Sequence, residues 1–252
     1  MLNESKVFKW LLTLYVFASC YGRGERKTEN NKMETERGIA VVELFTSEGC
    51  SSCPPADKLL ARISAENKDV YVLSYHVDYW DYLGWKDPFS QASFSNRQRD
   101  YAQQFNLQSI YTPQVVVNGR YEFVGSNEIT LRASLKKNST LDKLYLQVER
   151  KDASTIVVSC TLKAAATDLL NIALVQPQAQ TVVKRGENNG QVLLHVNVVR
   201  NLKTVLAKEG STAVEITIPE SIKNQPLQII GFYNNKSSYQ ITAAGKIAVP
   251  KG

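Results

Sequence analysis

Only four cysteines, two histidines and two methionines occur among the 252 residues, and each scarcity removes a class of protein. Four cysteines are too few for a disulfide-stapled scaffold, so Cys20, Cys50, Cys53 and Cys160 are read one by one. No glycine-rich phosphate loop is present, and nothing in the sequence indicates NAD, flavin, haem or nucleotide binding. No run of five or more basic residues with interleaved aromatics occurs, so the net charge of +6 forms no nucleic-acid stripe. The apolar run Trp10 to Ala18 is too short to span a bilayer as a helix. A composition 43% hydrophobic, 21% charged and 9% aromatic excludes wholesale disorder, a collagen-like repeat and a multi-span membrane protein.

What is present begins with Lys6 and Lys9, followed by the apolar run and Ser19-Cys20. This is the charged and then apolar order of a secretory signal over residues 1–20. Small residues before a cysteine, Ala18-Ser19-Cys20, resemble a bacterial lipobox, in which Cys20 becomes the lipidated first residue of the mature chain. The alternative is an ordinary cleaved signal peptide or a short anchor. Residues 21–38 hold five basic and four acidic residues and read as a flexible polar tether.

From residue 39 the pattern is structured. Ile39 to Phe45 reads as a strand buried on both faces, Pro54 to Glu66 as a helix opened by prolines, and Val70 to Val77 as a second strand. A strand-helix-strand order with a helix-length crossover implies parallel pairing. After the aromatic loop Asp78 to Phe89 come a helix from about Phe94 to Phe105 and a strand at Gln114 to Asn118. An Asn118-Gly119 hairpin turn leads to Tyr121 to Val124, and a helix capped by Ser126 or Asn127 runs through Lys137. Beyond residue 140, apolar-rich or alternating stretches, among them Leu169 to Val175 and Val192 to Val199, are separated by turn-rich pieces and have the rhythm of an antiparallel β-sandwich.

The chemistry concentrates at Cys50-Ser51-Ser52-Cys53. A strand-to-helix junction presents free N–H groups and a positive dipole end that stabilise a thiolate, and Cys50, nearer the open turn, is expected to be the exposed attacker. A structural disulfide is the alternative. No second C-x-x-C completes a zinc site. The stretch FTSEGCSSCP, followed by Tyr111-Thr112-Pro113 before a strand and hairpin, resembles the thioredoxin superfamily. VELFTSEGCSSCPPAD, HVDYWDYLGWKDPF, YTPQVVVNG and GENNGQVLLHVNVVRNL resemble, more narrowly, the exported thioredoxin-like family catalogued as domain of unknown function 1223. The resemblance implies an α/β fold: a thioredoxin-like domain at 39–140 followed by an antiparallel β-sandwich-like domain at 141–252. It implies Cys50 as nucleophile, Cys53 as resolving cysteine, and Pro113 as a cis proline that, with Thr112, meets substrate. Gly49 and Ser51-Ser52 depart from thioredoxin proper.

Three residues are candidates for tuning. Glu43, if buried beside the disulfide, would take the proton from Cys53; otherwise it faces solvent or pairs with a lysine. His76 and Asp78 end the second strand, where His76 could stabilise the thiolate, ligate a soft metal with Cys50 and Cys53, or pack against Asp78 or backbone. Trp80 and Trp85, with Tyr79, Tyr82 and Phe89, could line a substrate groove. Cys160 and His195 read as packed structural residues.

The function expected is thiol–disulfide exchange on exported protein thiols or disulfides, with a redox-active disulfide as the only cofactor and a redox partner of unknown identity. The expected location is the periplasm, or the membrane through a lipid on Cys20. The alternatives are a Cu(I) or other soft-metal chaperone using Cys50, Cys53 and His76, and a non-catalytic binding module with a structural disulfide.

Overall fold

The run AVVELFT alternates its side chains between two faces, and both faces are buried along the whole of β1 (Ala40–Thr46). The computed structural model describes residues 38–138, 141–161, 168–208 and 210–251. The segments read as signal, lipobox (Cys20) and tether lie outside the described residues, apart from Gly38. In chain order β1 is followed by α1 (Pro54–Glu66), β2 (Val70–His76), α2 (Ala92–Gln104), β3 (Gln114–Val117), β4 (Tyr121–Val124) and α3 (Glu128–Asn138). Then come β5 (Asp142–Lys143), β6 (Tyr145–Arg150), β7 (Thr155–Thr161), β8 (Asp168–Val182), β9 (Val192–Leu206), β10 (Ser211–Thr217), β11 (Gln228–Asn235) and β12 (Ile241–Ala248).

The expected fold class, an α/β thioredoxin-like domain followed by a β-sandwich-like domain, is overturned. The fold is mostly β, with 45% of the described residues in strands and 21% in helices, and one mixed sheet of nine strands runs in the order β4-β3-β1-β2-β9-β8-β11-β12-β5. The physical reason lies at β2. Its outer edge pairs in parallel with β9 at Ser74 and Val198, and Ser74 Oγ donates to the Val196 carbonyl at 2.8 Å. The back face of β1 and β2 is also shared: Phe45 and Tyr75 pack in one cluster with Phe94 of α2 and with Val175, Val199 and Phe232 from the later strands. Burying those aromatics requires the second half of the chain.

On the opposite face, Ala40, Val42 and Leu44 pack against Leu59, Leu60 and Ile63 of α1 and Leu131 and Leu135 of α3. The strands β10-β7-β6 form a smaller sheet, whose Ile156, Val158 and Ile216 pack on Ile172, Leu174 and Ile229 of the large one. Cys160 is buried in that layer as a free thiol. The β3–β4 turn uses Asn118 and Gly119 at φ +52° and +63°. A Cβ on Gly119 would meet the Tyr239 carbonyl oxygen, so only glycine fits there.

Candidate functional site

The C-terminal end of β1 leads through a tight turn into α1, and Cys50 and Cys53 sit on that turn joined as a disulfide, their Cα atoms 5.5 Å apart. Cys53 N donates to the Cys50 carbonyl at 3.2 Å, and Ala56 N and Asp57 N donate to the Cys53 carbonyl. Cys53 is the residue that caps the helix, with Pro54 and Pro55 behind it. The positive end of α1 therefore falls on this pair. Ser51 and Ser52 are exposed, yet both cysteines are 0% exposed. This differs from the expectation of an accessible Cys50.

The cover comes from far along the chain. Strands β8 and β9 extend as a hairpin whose tip lies on the Cys50–Cys53 turn. Glu187 accepts a bond from Ser51 N at 2.9 Å. The buried Asn188 amide donates from one nitrogen to the Glu48 carbonyl at 2.8 Å and to the Cys50 carbonyl at 3.0 Å. Trp85 lies beneath the tip, its Cβ 3.5 Å from where a Gly186 Cβ would stand.

Beside the disulfide is a buried set of five ionisable side chains, Glu48, Asp57, His76, Asp87 and His195. His195 Nε2 lies 3.1 Å from Glu48 Oε1, and its Nδ1 lies 3.7 Å from Asp57 Oδ1, too far for a hydrogen bond but near enough to act as a charge. Burial works against the His195 imidazolium, but Asp57 and Glu48 outweigh it and its pKa is pushed up to about 9. His76 Nδ1 donates to Asp87 Oδ2 at 2.7 Å. Burial would raise the Asp87 carboxyl, but His76 and the donated bonds from Glu48 N and Phe89 N hold it below its usual range. The two imidazoles meet edge to face with centroids 4.7 Å apart. Thr46 Oγ1 donates to Asp57, and Trp85 Nε1 donates to Glu48.

The structure sorts the expected residues. Cys50, Cys53, Trp80 and Trp85 meet at the turn, Trp80 packing its Cβ 3.1 Å from where a Gly49 Cβ would stand and donating from Nε1 to Thr112 Oγ1 at 2.8 Å. The Thr112–Pro113 peptide is cis. His76 joins the cluster, with Asp87 and not Asp78 as its partner; Asp78 is bonded to Ser95. Among the described residues no group of three or more His, Cys, Asp or Glu is arranged to hold a metal ion. Glu43 is buried on the far face of β1, where it pairs with Arg97 at 2.6 Å and accepts a bond from Tyr101, and it stays apart from the disulfide. The missed residues are Glu48, Asp57, Asp87, Glu187, Asn188 and above all His195, read as structural. Their sequence signal was slight: polar residues embedded in VLLHVNVV and in the stretches quoted above.

The family described as "Protein of unknown function (DUF1223)" matches residues 41–232. A crystal structure of a protein from Agrobacterium tumefaciens solved by a structural genomics consortium is 26% identical, with a TM-score of 0.61, covering 85% of this chain and 96% of that one. The chicken interferon gamma receptor alpha chain aligns at 14% identity and a TM-score of 0.28 over 54% of this chain and 59% of that one, too weak a likeness to carry an argument. Among curated proteins none matches.

Proposed function

The chain belongs to the DUF1223 family of proteins of unknown function, and from that premise we propose that it carries out thiol–disulfide exchange on exported proteins through Cys50 and Cys53. The observation that carries the reading is the Cys50–Cys53 pair itself, closed as a disulfide at the N-terminal end of α1 beside five buried ionisable groups. A cluster of that kind is costly to bury, and such clusters concentrate at functional sites.

A partner thiolate attacks Cys50 Sγ. A mixed disulfide forms, the Cys50–Cys53 bond breaks, and its electron pair leaves on Cys53 Sγ, where the helix end stabilises the thiolate until it is protonated. A second partner thiolate then attacks the partner's sulfur and releases Cys50. The partner gains a disulfide, and the cysteine pair gains two electrons. Export, in this reading, follows from the signal-like N-terminus, with Cys20 as a lipid anchor. No helix among the described residues is long and apolar enough to cross a membrane.

The test is the reduction potential of the pair in the full-length protein, by alkylation and mass spectrometry across glutathione and dithiothreitol buffers. A value between roughly −120 and −270 mV supports exchange, and one below about −300 mV overturns it. In the second case a binding module with a structural disulfide becomes the better reading. It is favoured by the complete burial of Cys50 and by the exposed apolar side chains Val182, Val192 and Leu194 along one face of the hairpin.

A further inference from the structure

The β8–β9 tip is built to hold its own shape. Val183 N donates to the Gln191 carbonyl, Gly190 N to the Val183 carbonyl and Asn189 N to the Gly186 carbonyl, and Gly186 and Gly190 take the positive φ that such a reversal needs. These bonds do not depend on the Cys50–Cys53 turn. Strand pairing stops short of the tip: β11 pairs with β8 only from Asp168 to Val175, Gln176 still bonds Gln225, and on β9 His195 is held by Glu48, so it is the turn beyond these contacts, Val183 to Gln191, that rests on the Cys50–Cys53 turn through Glu187 and Asn188. That turn, Val183 to Gln191, can therefore lift as a unit without unfolding the sheet. Where it rests, it occupies three main-chain groups of the turn: the Ser51 N–H, filled by the Glu187 carboxylate, and the Glu48 and Cys50 carbonyls, filled by the Asn188 amide.

We propose that this tip is a strap that closes the Cys50–Cys53 pair to small thiols and yields to polypeptide thiols, with Glu187 and Asn188 as its specificity-determining residues. The proposal rests on the exchange reading and names the substrate class of that same site. A buried main-chain group left without a partner is costly, and the Glu48 and Cys50 carbonyls are the buried ones, so an incoming thiol reaches Cys50 cheaply only if its own molecule supplies a donor for those two carbonyls, with an acceptor or water for the exposed Ser51 N–H. A polypeptide segment carries both in its amide groups and side chains, as the strap does. Dithiothreitol, with two hydroxyls, replaces them poorly.

The experiment measures the rate at which dithiothreitol reduces the disulfide of the full-length protein, by timed alkylation and mass spectrometry, beside the rate with reduced, unfolded ribonuclease as polypeptide dithiol. Asn188→Ala and Asn188→Asp should react with dithiothreitol about tenfold faster than wild type, the factor for about 1.4 kcal/mol of lost closure. Asn189→Ala, on the exposed side of the same tip, should react as wild type does. The gain with ribonuclease should be smaller. Folded variants within about twofold of wild type would overturn the strap, and equal gains with both reductants would overturn the selectivity. If the position 188 variants fail to fold, Glu187→Gln, at an exposed position, gives the same comparison with a smaller expected gain. These are rates of opening and attack, so they report on the strap even if the reduction potential overturns exchange itself.

Discussion

Glu48, Asp57, His76, Asp87 and His195 are each no more than 5% exposed, so the partners of their polar atoms lie within the protein and not in bulk solvent. His195 binds its proton more tightly in the folded than in the unfolded chain, with a pKa of about 9 against the ordinary 6.5. The sign follows: its contribution is complete below about pH 6.5 and is lost as pH rises toward 9, for a total of about 3 kcal/mol. Urea unfolding across that window should show stability falling with pH in wild type, and a much flatter profile in His195→Gln. An equal slope in both would show that the proton on His195 does not stabilise the fold. Asp87→Ala leaves the buried His76 Nδ1 without its acceptor and should cost about 3 kcal/mol in the same assay. Glu43 gives the contrasting case. Its pairing with Arg97, itself stacked near the rings of Tyr101 and Phe232, makes it a core residue. Glu43→Gln should lower stability by about 3 kcal/mol yet leave the reduction potential within about 10 mV of wild type. A larger shift would restore its role as a tuner of the disulfide.

Among the elements, α1 was legible to the residue because its signals are local: prolines in its first turn and Leu59, Leu60 and Ile63 on one face. The strands β8 and β9 were legible only in part. Leu169 to Val175 and Val192 to Val199 read as strands because they are apolar, while Gln176 to Val182 is polar and contains Pro177, which argues against a central strand. In the structure that stretch continues β8 past the point where β11 stops pairing, so on that side the missing proline N–H has no ladder to break. Length, and not composition, is what carries the tip to the disulfide. The Asn118-Gly119 turn was legible for the opposite reason, its backbone requirement being written in two residues. Gly119→Ala must move a hairpin away from the Tyr239 carbonyl as well as strain a positive φ. It should destabilise by more than about 1 kcal/mol, read as a lowered melting temperature, with no change in the reduction potential.

At the scale of the molecule, one cluster joins β1, β2 and α2 to β8, β9, β11 and β12, and the nine-stranded sheet passes through all of those strands. Splitting the chain near residue 140 would expose Phe45, Tyr75 and Phe94. Calorimetry on the full-length protein should accordingly give a single transition whose van't Hoff and calorimetric enthalpies agree. Two separable transitions would show that the halves fold independently. The sequence suggested two successive domains because its texture changes after residue 140 from helix-bearing to alternating strand. That change is real in the elements, but pairing between Ser74 of β2 and Val198 of β9 is invisible to any local pattern.

By itself, the sequence determined what local chemistry can determine: where the cysteine pair sits, which helix follows it and which turn needs glycine. Only the tertiary structure decided that β2 is not an edge, that Glu43 faces away from the disulfide, and that His195 and Asn188 come to it from well over a hundred residues away. The reason is that spacing and propensity act over a few residues. Shared burial of apolar faces and the partnering of buried polar groups are properties of the assembled chain.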